Sequence, residues 1–123
     1  MVPAYACWAR KQANYILGDT GRSFVVGYGV NPPGSYHHRG SSCFGPTAQC
    51  GFDLGFNSPK PNPNVLTGAL VGGPGAQDGY VDSRENYMQA EVAVDFNAGF
   101  TGLLAFLSVS ATPGADSDAA CGF

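Results

Sequence analysis

Two carboxylates stand on either side of an aromatic ring in the stretch "DSRENYMQAEVAVDFNAGF", which begins at Asp82. Asp82, Tyr87 and Glu91 are conspicuous in a chain where only 12% of residues are charged. Paired carboxyls suit general acid and base work, one giving a proton while the other orients or accepts. A structural explanation covers part of the pattern. Asp82-Ser83-Arg84-Glu85 has the D-x-x-E form of a helix capping box. A helix starting there would put Tyr87 and Glu91 at i, i+4 on one face. Capping accounts for Asp82 and Glu85 and leaves Glu91 unexplained.

A second cluster lies upstream, in "VGYGVNPPGSYHHRGSSC". Gly29-Val30-Asn31-Pro32-Pro33 is turn chemistry. It leads into Tyr36, His37, His38 and Arg39, which place rings, hydrogen-bonding nitrogens and a cation together in an irregular segment. Functional residues concentrate on such loops. The plainer alternative is that both histidines satisfy loop backbone groups and Arg39 pairs with a surface carboxylate. The same loop carries Tyr28, Tyr36, Phe44, Phe52 and Phe56. Rings among polar groups suit a carbohydrate, whose C–H faces stack on aromatics. They would equally serve as a satellite core beneath the loop.

The elements that must hold these clusters are sparse. Ala4, Tyr5, Trp8, Ala9, Gln12, Ala13, Tyr15 and Ile16 repeat near 3.6 residues and predict a helix over 3–17, with Gly18 as its C-cap. Ser23 to Tyr28 reads as a short extended run, and Val65 to Val71 as a short helical or extended piece. Asn97 to Ser108 reads as a helix that is apolar nearly all round, hence buried, with Gly99 and Gly102 permitting close packing. Between Gly18 and Gly79 about a third of the residues are Gly or Pro, well above ordinary usage. A loop that long in a compact domain is functional or belongs to something larger.

Composition removes several function classes. The net charge is −3, with six basic residues and no basic run, so neither nucleic acid nor an anionic membrane is an expected partner. No apolar run approaches the ~20 residues of a membrane span. The opening MVPAYACWARKQ lacks a basic segment followed by an apolar one, so no secretory signal is read there. The cysteines are Cys7, Cys43, Cys50 and Cys121. Cys43 and Cys50 close a short loop. They form a disulfide in an oxidising compartment, join His37 or His38 in a zinc site of unfamiliar spacing, or remain free thiols.

Three segments together resemble the C-terminal part of glycoside hydrolase family 9, the cellulases and endoglucanases. "SFVVGYGVNPPGSYHHR" resembles the family's histidine signature, with Gly29, Asn31, His37 and Arg39 at its spacing. "NPNVLTGALVGGP" resembles the loop that leads to the catalytic acid. Tyr80, Asp82, Tyr87, Glu91, Ala93, Asn97 and Ala98 fall where the second signature requires them. Two positions depart from the pattern. Tyr36 stands where a Pro or aliphatic residue is usual, and Val92 where many members have Pro.

The resemblance implies an all-α fold, the C-terminal segment of an (α/α)6 barrel of the six-hairpin glycosidase type with long Gly/Pro-rich loops. It places residues 1–109 in the catalytic domain and 110–123 in a tail or linker. It implies an endo-β-1,4-glucanase acting with inversion on β-1,4-glucan, secreted from the cell, with no cofactor and no metal ligand among these residues. Glu91 takes the role of general acid. His37 and Asp82 are the other active-site residues. Arg39 and Tyr87 bind substrate, with His37 and Arg39 donating hydrogen bonds to sugar hydroxyls. An acid must hold its proton at working pH, and Tyr87, Val92, Val94 and Asp82 are the residues expected to surround it. Inversion also needs a base, with the two carboxyls about 6.5–9.5 Å apart. The family's base sits in an Asp-rich motif that has no match here, since Asp53 and Asp78 lack its context. The N-terminal part of the domain is therefore an expected partner of this segment. The alternative is a glucan-binding remnant that holds sugar without cleaving it.

Overall fold

The computed structural model describes residues 3–45, 50–110 and 121. Regular structure among them is all-α. Helix α1 spans Pro3–Leu17 and helix α4 Val94–Ser110. Two single-turn helices, α2 (Arg39–Ser42) and α3 (Tyr87–Ala90), lie between them. A one-turn π-helix spans Phe52–Phe56, and a 3-10 turn Ala76–Asp78. The fold class and the first helix match expectation. Gly18 ends α1, its N–H still reaching Asn14 O at 3.0 Å.

Helices α1 and α4 pack against each other, yet among their described side chains only Ala13 and Phe100 are buried. The expectation of a buried final helix is met in part. It begins three residues earlier than predicted, at Val94. Leu103, Leu104, Phe106 and Leu107 are half-buried. Gly99 and Gly102 face open space, with nothing within 4 Å of where a Cβ would stand.

The core lies elsewhere. Phe24, Val26, Tyr36 and Val71 are buried together, ringed by Tyr15, Leu66, Leu70, Tyr80 and Val92. The four buried residues all come from the Gly/Pro-rich part. Three isolated β-bridges stitch it: Val25 with Leu70, Val71 with Val92, and His37 with Glu91. In order they run across four segments, so the chain near 25, 70–71, 91–92 and 37 lies side by side. The extended run expected at 23–28 and the helical or extended piece expected at 65–71 contribute one rung and two rungs, rather than full strands. Two glycines make this close approach possible. At Gly29 φ is +78°, and a Cβ would lie 2.2 Å from Leu17 O. At Gly72 a Cβ would lie 2.5 Å from Met88 O.

Cys43 and Cys50 form a disulfide with Cα atoms 5.0 Å apart. That removes the zinc and free-thiol alternatives for them. A second disulfide, Cys7–Cys121, ties α1 to the far end of the chain across a sequence separation of 114. Sequence reading did not pair these two. Apart from Ser110 and Cys121, the tail expected over 110–123 lies outside the described residues.

Candidate active site

The D-x-x-E capping box does not form. Helix α3 starts at Tyr87, five residues after Asp82, and its N-cap Asn86 makes no side-chain cap. Asp82 turns to the histidine loop instead. Its Oδ2 accepts from Gly34 N at 2.8 Å and its Oδ1 from Ser35 N at 3.0 Å. A carboxylate with two backbone donors gains more than one capping bond offers, because hydrogen bonds to a charged acceptor are the stronger kind. Asp82 thus fixes the chain two residues before Tyr36.

Glu91 lies just past the end of α3 rather than within it, in extended conformation (φ −69°, ψ 137°). Its N–H still reaches Tyr87 O at 3.0 Å. Backbone hydrogen bonds hold it from both sides. Gly72 N donates to Glu91 O at 2.9 Å, and His37 N donates to Ala90 O at 2.8 Å. The bridge between His37 and Glu91 therefore sets the backbones of the two residues side by side, although 54 positions separate them in the sequence. The apolar shelf expected around Glu91 does not assemble among the described residues. Val94 is 88% exposed, Tyr87 is 57% exposed, and Glu91 itself is exposed.

The His37 ring is closely held. Its Nδ1 lies 2.6 Å from the Arg84 carbonyl oxygen. A carbonyl only accepts, so Nδ1 carries the proton. In a neutral ring Nε2 is then an acceptor, not the donor expected of His37. The rings of Phe56 and Tyr87 stand edge-on to His37 at centroid distances of 6.1 and 6.3 Å. His38 is bound the opposite way. Its Nδ1 accepts from Ser41 N at 3.0 Å and caps α2, the turn that begins with Arg39.

A cavity of 380 Å³ opens beside these groups. His37, His38, Arg39, Phe52, Phe56 and Arg84 line it. The loop aromatics thus divide between the two readings. Tyr36 is core, at 1% exposed, whereas Phe52 is 72% exposed at the cavity. Phe52 and Phe56 pair at 5.0 Å on the π-helix, next to the Cys43–Cys50 disulfide.

Arg84 is the residue that sequence reading passed over. It is 4% exposed, and burial pushes its guanidinium below its ordinary pKa, with Asp82 pulling the other way. Three oxygens take its N–H groups: Asn62 Oδ1 at 2.6 Å, Ser58 O at 2.6 Å and Lys60 O at 2.7 Å. It stands inside the D-x-x-E pattern read as a helix cap, and no local signal marks it as buried. Asp53 and Asp78, the aspartates weighed as a base, are engaged elsewhere. Asp78 accepts from Tyr15 OH at 2.6 Å, and Asp53 from Asn57 on the π-helix turn.

The family model for glycosyl hydrolase family 9 matches residues 2–104. Endoglucanase 19 of Arabidopsis thaliana is 45% identical over 118 residues, covering 89% of this chain and 19% of its own length. Endoglucanase B of Cellulomonas fimi is 49% identical over 100 residues, covering 79% of this chain and 9% of its own. Among solved structures, an endoglucanase from the termite Nasutitermes takasagoensis superposes with a TM-score of 0.74 at 53% identity, over 81% of this chain and 23% of that one. Endoglucanase CelQ from Clostridium thermocellum, solved with cellobiose and cellotriose, gives 0.69 at 39% identity, over 88% of this chain and 18% of that one. The chain thus spans about a fifth or less of the curated relatives named here. Its fold is that of an all-α segment of the (α/α)6 barrel of these cellulases.

Proposed function

The chain belongs to glycosyl hydrolase family 9, and from that membership we propose that it forms the acid-bearing part of an endo-β-1,4-glucanase site. The observation that carries this reading is the bridge holding Glu91 beside His37, next to a cavity that offers Arg39 and two phenylalanine rings. Glu91 gives its proton to the departing glycosidic oxygen. A base outside these residues activates water on the opposite face of the ring, and the product leaves with inverted configuration. Arg39 donates to sugar hydroxyls, and Phe52 offers a face for stacking. His37 accepts a hydrogen bond from a sugar hydroxyl at Nε2. Asp82, with both oxygens on backbone amides, serves as the clamp of the histidine loop and transfers no proton.

The substrate in this reading is β-1,4-glucan, consistent with the cello-oligosaccharides bound by CelQ. Two disulfides favour an oxidising, extracellular location. No helix among the described residues is long and apolar enough to cross a membrane.

The test is Glu91→Gln in a full-length catalytic domain carrying this segment. Hydrolysis of cellulose should fall about 10²–10⁴-fold, the worth of general acid catalysis, with binding retained. A cellobioside with a very good leaving group needs little protonation and should lose much less. Equal losses on both substrates would remove Glu91 from the acid role. A variant with full activity would do the same, whereas a wild-type domain that binds cellulose without cleaving it would favour the remnant reading.

A further inference from the structure

The hydrogen bonds around His37 form a closed circuit that passes through two residues with no role so far. His37 Nδ1 donates to Arg84 O at 2.6 Å. Arg84 Nε donates to Asn62 Oδ1 at 2.6 Å. Asn62 Nδ2 donates to the carbonyl of Tyr36, the residue before His37, at 3.0 Å. Asn62 is 5% exposed, and its own N–H donates to Gly34 O at 2.7 Å. We propose that Arg84, anchored by Asn62, is the positioning residue for His37, fixing its ring in the Nδ1–H tautomer so that Nε2 faces the cavity as a hydrogen-bond acceptor.

The chemistry of the circuit supports this assignment. The carbonyl that reads the tautomer belongs to the same residue whose side chain is immobilised at three points, so the guanidinium fixes the carbonyl it is attached to. Among the described residues no carboxylate comes within ion-pair distance of that guanidinium, and its partners are neutral oxygens. A buried cation held this way is a weak source of stability compared with an apolar residue of like volume. It is a good source of geometry, because the planar fork accepts its partners in only one orientation. The edge-on rings of Phe56 and Tyr87 limit rotation of the imidazole. A ring so held presents one lone pair. It binds a sugar hydroxyl that donates and disfavours a group that can only accept.

The proposal rests on the reading that His37 faces substrate, and the experiment separates the two. In the full-length catalytic domain labelled with 15N-histidine, the ring nitrogen shifts of His37 report the tautomer directly. The wild type should show a protonated Nδ1 and a bare Nε2. Arg84→Lys keeps the charge but loses the fork. It should melt cooperatively, show a mixed His37 tautomer, and lose up to about 10²-fold in kcat/KM on cellopentaose, the size of loss that misplacement brings. Asn62→Ser breaks the same circuit at a second point and should move the tautomer the same way, which covers a failure of Arg84→Lys to fold. A wild-type ring with its proton on Nε2 overturns the proposal. So does a folded variant of either kind that keeps the Nδ1–H signature and wild-type kcat/KM. If the tautomer moves while kcat/KM per folded molecule stays constant, positioning stands and the reading that His37 touches substrate fails.

Discussion

The histidine loop and its neighbours form an irregular region, while α1 and α4 form a regular one, and their order of burial is the reverse of what regularity suggests. Tyr36, Arg84 and Asn62 in the irregular part are 1%, 4% and 5% exposed. Trp8 on α1 and Val94 and Val109 on α4 are 63%, 88% and 83% exposed. A helix satisfies its own backbone and needs neighbours only for its side chains. A loop must find partners for its N–H and C=O groups, and here side chains supply them. Asp82, Asn62, Asn64, Arg84 and Tyr36 each bond to the backbone of a distant segment. The two regions are therefore held by different forces. Polar geometry fixes the loops around the proposed site, whereas α1 and α4 rest on their mutual packing and α1 is further tied to Cys121 by a disulfide.

The sharpest way to break that comparison is at the disulfide. In a full-length domain, Cys7→Ser with Cys121→Ser releases a link of sequence separation 114, whereas Cys43→Ser with Cys50→Ser releases one of 7. Loop entropy makes the first worth about 4–5 kcal/mol and the second roughly half that. Urea denaturation of the two double variants should show this order. The reverse order would mean that the short link holds the aromatic turn under Phe52 more firmly than entropy accounts for.

Asp82→Ala comes next. It leaves the amides of Gly34 and Ser35 without their charged acceptor, at about 1.5–3 kcal/mol for each such bond. A clamp predicts a lower melting temperature and, for the molecules that remain folded, activity far above that of Glu91→Gln. Unchanged stability with activity as low as Glu91→Gln would restore Asp82 to the catalytic role that the resemblance implies.

A smaller effect is expected at Tyr36, where this chain departs from its family's usual Pro or aliphatic residue. The hydroxyl donates to Asn64 O at 2.8 Å and accepts from Leu66 N at 3.0 Å. Tyr36→Phe keeps the ring in the core and takes the acceptor from the part-buried Leu66 N–H, which costs about 0.5–1.5 kcal/mol, the net worth of an ordinary hydrogen bond. Thermal melts of the two proteins check it. A loss below that range would mean that Leu66 N–H finds another partner.

The regular region was legible because its signal is local. The 3.6-residue spacing and Gly18 together bound α1, and both lie within a few positions of each other. Candidate site residues could be named from the sequence, whereas their arrangement could not. Asp82 and Glu85 match a capping box, yet the partners that take Asp82 lie 47 and 48 positions away, where no local pattern can report them. Arg84 and Asn62 are single polar residues in polar stretches, so nothing in their neighbourhood distinguishes burial from solvation. Tyr36 and Phe52 belong to the same class of ring in the same loop, and only packing separates core from cavity wall. Cys7 and Cys121 sit at opposite ends of the chain, and four cysteines allow three pairings.

The smallest effect lies where the two regions touch. Tyr15 on α1 donates to Asp78 at the 3-10 turn, a bond of 2.6 Å at an exposed position. That hydrogen bond, helped by partial burial and by the charge of Asp78, raises the phenol from its ordinary 10.0 to about 12. Deprotonation in the folded state would place two negative charges together, so the neutral phenol is the form that folding favours. The contribution to stability is whole below about pH 10 and disappears as pH rises through about 12. Tyr15→Phe keeps the ring against Phe24, which it meets at 5.7 Å, and removes only the titrating group. At neutral pH the change should stay within about 0.5 kcal/mol, as for other surface substitutions. Between pH 10 and 12 the wild type should lose stability faster than the variant, by the slope that one proton contributes. Parallel stability curves over that range would mean that the helix and the turn are joined by packing alone, and that the polar style of fixation stops at the boundary of the loop region.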